Sequence, residues 1–301
     1  MATPLSKILG RMQDMENEVI DKDFFALLYG SFGTGKTTLI AGIAQALRRL
    51  GGADARILYL DSAQGFASLE NTPKLMRNMD RIQVKDPKDL MTIAESMKKR
   101  RTEFKNHTVL LLDEVDSWFE IILHSYVREA TSTVPTEDLP EIEGKHYGPP
   151  TAIMLNIINT FKSVDGLHII MVAHNQERGK EPKIVTSPSL PPKLMKGINE
   201  KVHVVGLVEA AITKDGYSRT IQVNPSKQVV AKTRIGGLPV KIDFNDMPKI
   251  VRNWVGSPEM EEALVNPEPD PEPVDDEEIE VDEPDDVDED DEAVEVTDDE
   301  D

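Results

Sequence analysis

The sequence contains no cysteine among its 301 residues. This absence excludes disulfide bridges, thiol nucleophiles and thiolate metal sites. Long apolar runs are missing as well: no stretch approaches the roughly 20 apolar residues that span a bilayer, and Met1–Leu9 lack the apolar run of a signal peptide. We therefore expect a soluble protein of a reducing cytoplasm, with no membrane among its partners.

Basic residues are absent from the end of the chain. Of the 55 acidic residues, 22 lie between Glu268 and Asp301, where there is no lysine or arginine. The other 33 acidic residues face 34 basic ones, so the net charge of −21 belongs to the tail. A block of like charge with many prolines and no aromatic residue cannot form a core. We predict that residues 266–301 are disordered, within an acidic tail over residues 256–301.

Apolar residues recur at helical spacing near the start of the chain, at Leu5, Ile8, Leu9, Met12, Met15, Val19 and Ile20. This spacing predicts an amphipathic helix within residues 1–21, ahead of a main domain over residues 22–255. Such a helix either covers the core of that domain or docks onto another subunit or partner. The pattern leaves both interpretations open.

Short apolar segments then alternate with helical patterns. The predicted strands are residues 24–29, Arg56–Asp61, Thr108–Asp113 and His168–Ala173, and the predicted helices are residues 36–50, 87–104, 115–130 and 150–163. This alternation is typical of a parallel sheet covered on both faces. Beyond residue 200, the β-rich segments Val202–Ile212 and Tyr217–Val223 flank a hairpin turn, and Val229–Lys232 can continue the meander. The fold class is α/β, with a mainly parallel sheet and an antiparallel extension.

The glycine-rich segment Gly30–Thr37 matches G-x-x-x-x-G-K-[ST] in full, after an apolar strand and at the start of a helix. Its glycines let backbone N–H groups point at phosphate oxygens, and the helix N-terminus adds a partial positive charge. Lys36 reaches the β- and γ-phosphates and the Thr37 hydroxyl ligates Mg²⁺. The segment therefore predicts binding of ATP with Mg²⁺. We assign nucleotide contacts to Gly30, Ser31, Phe32, Gly33, Thr34, Gly35, Lys36, Thr37 and Thr38.

An apolar strand that ends in two carboxylates, Asp113 and Glu114, has the pattern of a Walker B segment. Asp113 would hold the Mg²⁺, and Glu114 would orient or deprotonate the attacking water. Asp61, at the end of the second strand, is a competing base, because some P-loop ATPases place the catalytic carboxylate there. We favour Glu114 over Asp61, and both over Asp116 and Gln64.

Polar residues also end the fourth predicted strand. His174 and Asn175, together with Gln176, can contact the γ-phosphate or its attacking water and report hydrolysis to neighbouring loops. A packing or capping role for the histidine is the other interpretation. The six histidines show no metal-ligand spacing, so we predict no structural metal.

In this order of motifs the sequence resembles the RecA-like core ATPases, which include RecA, the archaeal and eukaryotic recombinases, KaiC, and short phage-encoded ATPases of recombination or replication. A proline-bearing segment at Leu190–Leu194 and the stretch Val230–Arg234 are most similar to the phage group. The resemblance implies a three-layer RecA-like fold, and the host cytoplasm as the location of a phage-encoded protein.

In such rings, basic residues near Val230–Arg234 reach the γ-phosphate of the next subunit. By resemblance, Lys232 and Arg234 would complete a neighbouring site in a homo-oligomeric ring or filament. They lie two apart on a strand, so both would point to one face. A solvated basic pair is the alternative.

The resemblance also implies action on DNA, in phage-type recombination, repair or replication. Two loops, residues 131–148 and 177–199, are candidates for contact with single-stranded DNA. The second carries five basic residues, whereas the first is acidic and contains Tyr147, the one aromatic residue in either loop.

The Asp113-Glu114 pair resembles the arrangement in AAA+ proteins, so an AAA+-like remodelling or loading ATPase that acts on a protein is the alternative. A small-molecule kinase and a binding module without turnover are weaker candidates.

The acidic tail has two interpretations. It confers solubility, or it competes with nucleic acid for the basic loop and docks on a basic protein partner. We favour the second.

Overall fold

The computed structural model describes residues 23–62, 65–130, 142, 144–180, 183–214 and 216–256. The helix expected within residues 1–21 lies outside this part of the chain, as do Gln64 and residues 257–301 of the acidic tail. Both terminal assignments, and the domain boundaries at 22 and 255, stay predictions.

Within the described residues, ten strands form one sheet. They are β1 (Phe25–Gly30), β2 (Arg56–Asp61), β3 (Met79–Gln83), β4 (His107–Asp113), β5 (His168–Arg178), β6 (Val185–Pro188), β7 (Val204–Thr213), β8 (Gly216–Gln222), β9 (Lys232–Thr233) and β10 (Lys241–Asp243). Their order is β10-β8-β7-β1-β5-β4-β2-β3, with β6 paired to β5 and β9 paired to β7.

Seven helices accompany the sheet in the described residues. They are α1 (Lys36–Arg48), α2 (Pro73–Met76), α3 (Pro87–Lys98), α4 (Val115–Ala130), α5 (Gly148–Lys162), α6 (Pro192–Asn199) and α7 (Met247–Val255). No helix in this part of the chain is both long enough and apolar enough to cross a membrane.

The centre of the sheet is parallel, because β1 pairs with β5 and β7, and β4 pairs with β5 and β2, all in the same direction. All six residues of β1 are buried. Strands that are covered on both faces have continuous apolar sequences, which explains why β1, β2, β4 and β5 could be predicted from the sequence.

Two apolar clusters lie on the two faces of the sheet. One packs α3, α4, α5 and α6 against the strands and includes Trp118 and Phe161; the other packs α1 and α7 and includes Leu39 and Val251. Helices on both faces of a mainly parallel sheet make a three-layer α/β fold. The RecA-like architecture expected from the sequence is confirmed.

The antiparallel extension is also confirmed. β7 runs parallel to β1 and then forms a hairpin with β8, which pairs in turn with β10. After the sheet, the described residues contain one helix, α7, which packs on α1. This arrangement differs from the helical lid that the AAA+-like alternative leads one to expect.

Several elements differ from the sequence-based expectation. β5 continues to Arg178 and pairs with β6, so the predicted loop over residues 177–199 contains a strand and the helix α6. Val229 forms an isolated bridge with Thr186 and is not part of a strand. The helix predicted over residues 87–104 ends at Lys98, because Arg100 adopts a left-handed backbone conformation with φ of 47°.

Candidate functional site

The glycine-rich turn follows β1 at the carboxyl edge of the sheet. Gly33 and Gly35 have φ of 74° and 86°, a left-handed conformation that glycine adopts without a steric penalty. Gly35 precedes α1 without a side-chain cap, and the helix begins at Lys36. The N–H groups of this first turn are therefore available to an anion, in the geometry that helix N-termini use to bind phosphate.

Lys36 is held inside the turn. Its Nζ donates hydrogen bonds of 2.9 Å to the carbonyl oxygens of Gly30 and Ser31, and Thr34 Oγ1 donates to the same Ser31 carbonyl at 2.9 Å. Burial lowers the pKa of Lys36, although the carboxylates of Glu114 and Asp113 act in the opposite direction. The ammonium group thus sits at the centre of the loop that a triphosphate would fill.

Thr37 and Asp113 meet across the site. Thr37 Oγ1 donates a hydrogen bond of 3.0 Å to Asp113 Oδ2, and the hydroxyl of Tyr59 donates to the same oxygen. Asp113 is 1% exposed. Burial raises the pKa of its carboxyl, although the two hydrogen bonds oppose this effect.

These groups fit a magnesium ion. A hydroxyl and a carboxylate oxygen are the hard ligands that Mg²⁺ prefers, and a cation would offset the burial of the Asp113 charge. No group of three or more His, Asp or Glu side chains in the described residues could hold a metal alone. Magnesium binding would therefore depend on phosphate oxygens, as in other P-loop sites.

Glu114 ends the Walker B segment with φ of 66°, which is rare for a residue with a side chain. Ser117 Oγ donates to its Oε2 at 3.1 Å, and its Oε1 lies 3.3 Å from His174 Nε2. His174 also places Nδ1 2.8 Å from Asp116 Oδ2. The Asp116 and Glu114 carboxylates raise the pKa of His174 to about 9, and the histidine in turn lowers the pKa of Glu114. At neutral pH His174 is therefore protonated and Glu114 is ionised.

Asp61 lies beside Asp113 in the paired strands β2 and β4, but its carboxylate is engaged elsewhere. Arg81 Nη2 donates to Asp61 Oδ2 at 2.6 Å, and the Gly65 N–H donates to Oδ1 at 3.1 Å. Asp61 is 1% exposed. The Asp61 carboxylate is buried and paired with Arg81, whereas Glu114 is 19% exposed and lines the same cavity as Lys36 and Thr37, which favours Glu114 as the base.

The end of β5 touches the glycine-rich turn. Ser31 Oγ donates to Asn175 Oδ1 at 3.1 Å, and the ring of Phe32 lies over His174 with 4.1 Å between ring centroids. Phe32 is itself 82% exposed. His174 and Asn175 therefore contact the glycine-rich turn, and their role as sensor residues stays a prediction.

Lys232 and Arg234 lie at the opposite edge of the sheet within the same chain. Lys232 of β9 pairs with Val205 of β7, which pairs with Leu27 of β1. The Arg234 N–H donates to the carbonyl oxygen of His203, whose own N–H donates to Phe25 at the start of β1. Gly30, where the glycine-rich turn begins, is on the order of 10 Å further along β1 than Leu27 and on the order of 16 Å further than Phe25. Both side chains donate to backbone carbonyls at the end of α6, Lys232 to Asn199 and Arg234 to Glu200.

Three residues of the site were missed by the sequence analysis: Tyr59, Arg81 and Arg219. Arg219 lines a cavity of about 480 Å³ with P-loop residues, including Thr37 and Thr38, and with Glu114 and His174. A Cβ placed on Gly35 would lie 3.1 Å from the guanidinium carbon of Arg219. No motif in the sequence marks these three residues, because each comes from a strand outside the P-loop and Walker B segments.

A second cavity, of about 820 Å³, lies next to the Glu114–His174–Asp116 network. Asp116 lines it, as do Tyr147, Arg178 and Lys193. The rings of Phe119 and Tyr147 stack with 6.2 Å between centroids. The cavity brings together described residues from both of the loops considered for DNA contact.

The fold has three layers, with a mainly parallel sheet between two layers of helices. Together with the P-loop and the Walker B carboxylate, this fold defines the chain as a P-loop nucleotide-binding protein. A family model described as AAA domain matches residues 23–235. The chain belongs to this AAA domain family, which is a family of nucleotide-binding ATPases. No curated protein matches the sequence significantly.

Proposed function

We propose that this protein is a Mg²⁺-dependent ATPase. The observation that carries the proposal is the hydrogen bond of 3.0 Å between Thr37 Oγ1 and Asp113 Oδ2. It brings together the hydroxyl and the carboxylate that ligate magnesium in P-loop enzymes, immediately beside Lys36 and Glu114. Glu114 lines the same cavity as Lys36 and Thr37, where a carboxylate can accept a proton from the attacking water.

Each side chain has a defined part in the proposed reaction. The turn at Gly30–Thr37 binds the phosphates through backbone N–H groups, and Lys36 supplies a positive charge at the β- and γ-phosphates. Thr37 and Asp113 would hold Mg²⁺, which neutralises phosphate charge when it is bound. Glu114 stays ionised because His174 lowers its pKa, and it accepts a hydrogen bond from the attacking water through its remaining lone pairs.

The test is ATP hydrolysis by the full chain, with magnesium and with excess chelator. We expect phosphate release with magnesium, loss of release with chelator, and loss of nucleotide binding in Lys36→Ala. Glu95→Gln, which changes an exposed acidic residue of α3 that pairs with Lys99, is the matched control and should hydrolyse at the wild-type rate. Nucleotide binding with no measurable hydrolysis would refute the proposal.

We further propose that the ATPase acts on DNA, in phage-type recombination, repair or replication. The 820 Å³ cavity supports this. It combines Tyr147, a partly exposed aromatic ring on which a base can stack, with the basic residues Arg178 and Lys193, which can bind phosphates. The sequence alone had separated these features onto two loops.

The same cavity has a physical link to the ATP site. Asp116 is 6% exposed and lines the cavity. Its Oδ2 pairs with His174, and its Oδ1 has no hydrogen-bond partner among the described residues. A base in the cavity that displaced the Asp116 side chain would shift the His174–Glu114 pair. DNA would then change the rate of hydrolysis.

The experiment compares ATPase rates without DNA, with single-stranded DNA and with duplex DNA. We expect stimulation by single-stranded DNA, reduced several-fold in Tyr147→Ala. Lys74→Ala removes a basic residue on α2 that does not line the cavity, so it controls for a general loss of positive charge. Wild-type ATPase activity that does not respond to any DNA would favour the alternative, a remodelling or loading ATPase that acts on protein. The Asp113-Glu114 pair is the feature that supports that alternative.

Completion of each site by a neighbouring subunit, in a ring or filament, is also part of the proposal. It rests on the resemblance at Val230–Arg234 and on the position of Lys232 and Arg234. Because both lie at the sheet edge opposite to the P-loop of their own chain, they could reach a triphosphate only on another subunit.

A further inference from the structure

Arg219 occupies a position in the nucleotide site that no motif accounts for. It lies on β8, opposite Ala210 of β7. β7 pairs with β1 only as far as Leu207, opposite Tyr29. The β7–β8 hairpin therefore continues past the carboxyl edge of the parallel strands and runs beside the glycine-rich turn, where it brings Arg219 to the start of α1.

The guanidinium group lies against the backbone of Gly35. A Cβ on Gly35 would lie 3.1 Å from Cζ, 3.1 Å from Nη1 and 3.3 Å from Nε of Arg219. These nearly equal distances mean that the planar group faces the glycine that precedes α1. The approach is close because Gly35 has no side chain, and its φ of 86° already disfavours any other residue.

Phe244 supports Arg219 from the neighbouring part of the extension. Its ring centroid is 5.3 Å from Arg219 Cζ, and its N–H donates to the Arg219 carbonyl at 3.2 Å. Phe244 is 8% exposed. A cation over an aromatic ring in a half-buried position is restrained, so the guanidinium is held beside the P-loop before any ligand arrives.

The charge balance of the cavity explains what such a cation would do. The cavity that Arg219 lines also holds Lys36, Glu114 and His174, and Asp113 lies beside it through Thr37. A triphosphate adds several negative charges to a site that already contains two carboxylates. An arginine fork can donate two hydrogen bonds to one phosphate group.

We propose that Arg219 binds the phosphate chain of the nucleotide held by the P-loop of its own chain. It is a cationic contact in cis, separate from the one expected in trans from Lys232 and Arg234. The proposal rests on nucleotide binding at Gly30–Thr37, and it adds the β7–β8 hairpin to the residues that recognise the ligand.

The test measures the dissociation constants of a fluorescent ATP analogue and of ADP for the full chain with magnesium. Arg219→Ala should weaken ATP binding about 10-fold or more, which is the scale of a lost charge-assisted hydrogen bond. Arg219→Lys should recover part of the affinity, and Phe244→Leu should lose part of it. Lys241→Ala, on the adjacent strand β10 and paired with Glu209 on the surface, is the matched control and should bind normally.

Thermal unfolding separates binding from folding. Arg219→Ala with a wild-type melting temperature in the absence of nucleotide, but with a smaller upward shift on adding ATP, supports the proposal. Unchanged affinity for both nucleotides in folded Arg219→Ala overturns it. If the wild-type chain binds ATP and Lys36→Ala does not, nucleotide binding stands whatever happens at Arg219.

Mixing two variants decides between cis and trans. Lys36→Ala has a defective P-loop and an intact Arg219, whereas Arg219→Ala has the reverse. If Arg219 acts on its own chain, the mixture has no more activity per subunit than the sum of its parts. Recovered activity in the mixture would mean that Arg219 serves the neighbouring site, which overturns the assignment in cis.

Discussion

Arg81 holds Asp61 through hydrogen bonds of 3.0 and 2.6 Å from Nε and Nη2 to a single carboxylate oxygen. This pairing distinguishes Asp61 from Glu114, the two residues that the sequence offers as the catalytic base. Glu114→Gln should lower the turnover number by about 100-fold or more while ATP still binds, because the water loses its acceptor. Asp61→Asn should lower stability by about 1–3 kcal/mol, because the partly exposed Arg81 loses its charged acceptor, with a smaller effect on turnover. Steady-state kinetics and urea unfolding measure the two effects.

The reverse outcome would identify Asp61 as the base. Glu114→Gln that hydrolyses ATP at the wild-type rate, together with an inactive but normally stable Asp61→Asn, would contradict the mechanism. Arg81→Ala is the matched control for Asp61→Asn, since it breaks the same ion pair from the other side.

The hydroxyl of Tyr59 donates to the magnesium carboxylate of Asp113. In Tyr59→Phe, Asp113 Oδ2 keeps only the donor from Thr37, so a buried charge is less well compensated. The unfolding free energy should fall by about 1–2 kcal/mol without ligand. The loss should be smaller with Mg²⁺ and ATP, because a bound cation compensates the same charge. Melting temperatures with and without ligand test this, and an equal loss in both conditions would count against a role of Tyr59 at the metal.

His174 gives the fold a pH dependence whose sign follows from its carboxylate partners. Asp116 and Glu114 raise the pKa of His174 from 6.5 to about 9 in the folded chain. The interaction of protonated His174 with its carboxylate partners therefore contributes fully to the free energy of unfolding below about pH 6.5. This contribution is lost as the pH rises through about 9. It amounts to as much as about 3 kcal/mol.

Urea unfolding at pH 6.5 and pH 9.5 measures this effect. The wild-type chain should be clearly less stable at pH 9.5, and His174→Gln should show much less of this difference. No thiol titrates in this range, because the sequence contains no cysteine. An equally steep pH dependence in His174→Gln would assign it to other groups.

The acidic tail should weaken DNA binding. Its last 34 positions, from Glu268, carry 22 acidic residues and no basic ones, so it can compete with a phosphate backbone for Arg178 and Lys193. Removal of residues 267–301 should tighten binding of single-stranded DNA at low salt and have little effect at high salt, where charges are screened. Affinity measured across a salt series tests this. An unchanged salt dependence would leave solubility as the role of the tail.

Lys232 and Arg234 have two competing roles that make different predictions. If they complete a neighbouring site, the ATPase rate per subunit should rise with protein concentration, and Arg234→Ala should abolish this rise. If they only bind the carbonyls of Asn199 and Glu200, Arg234→Ala should lower the melting temperature and leave the concentration dependence intact. ATPase rates over a range of protein concentrations, measured beside thermal unfolding, distinguish the two.

The local features of the chain could be predicted because they are carried by contiguous residues. Gly30–Thr37 is a single segment whose glycines and lysine have one well-known geometry. The strands of the parallel sheet appear as apolar runs because both of their faces are buried. Two other elements have no continuous apolar run. They are the short strand β3, whose residues are only half-buried or exposed, and the small helix α6, which lies inside a predicted loop.

The sequence by itself determined that a triphosphate-binding turn precedes a helix, that Asp113 ends a buried strand, and that the parallel sheet has an antiparallel extension. Tertiary structure decided which charged groups meet. Arg81 neutralises Asp61, Asp116 and Glu114 share His174, and the β7–β8 hairpin carries Arg219 to Gly35. The physical reason is that backbone conformation depends on neighbours in sequence, whereas electrostatic pairing depends on strand order, which no local pattern encodes.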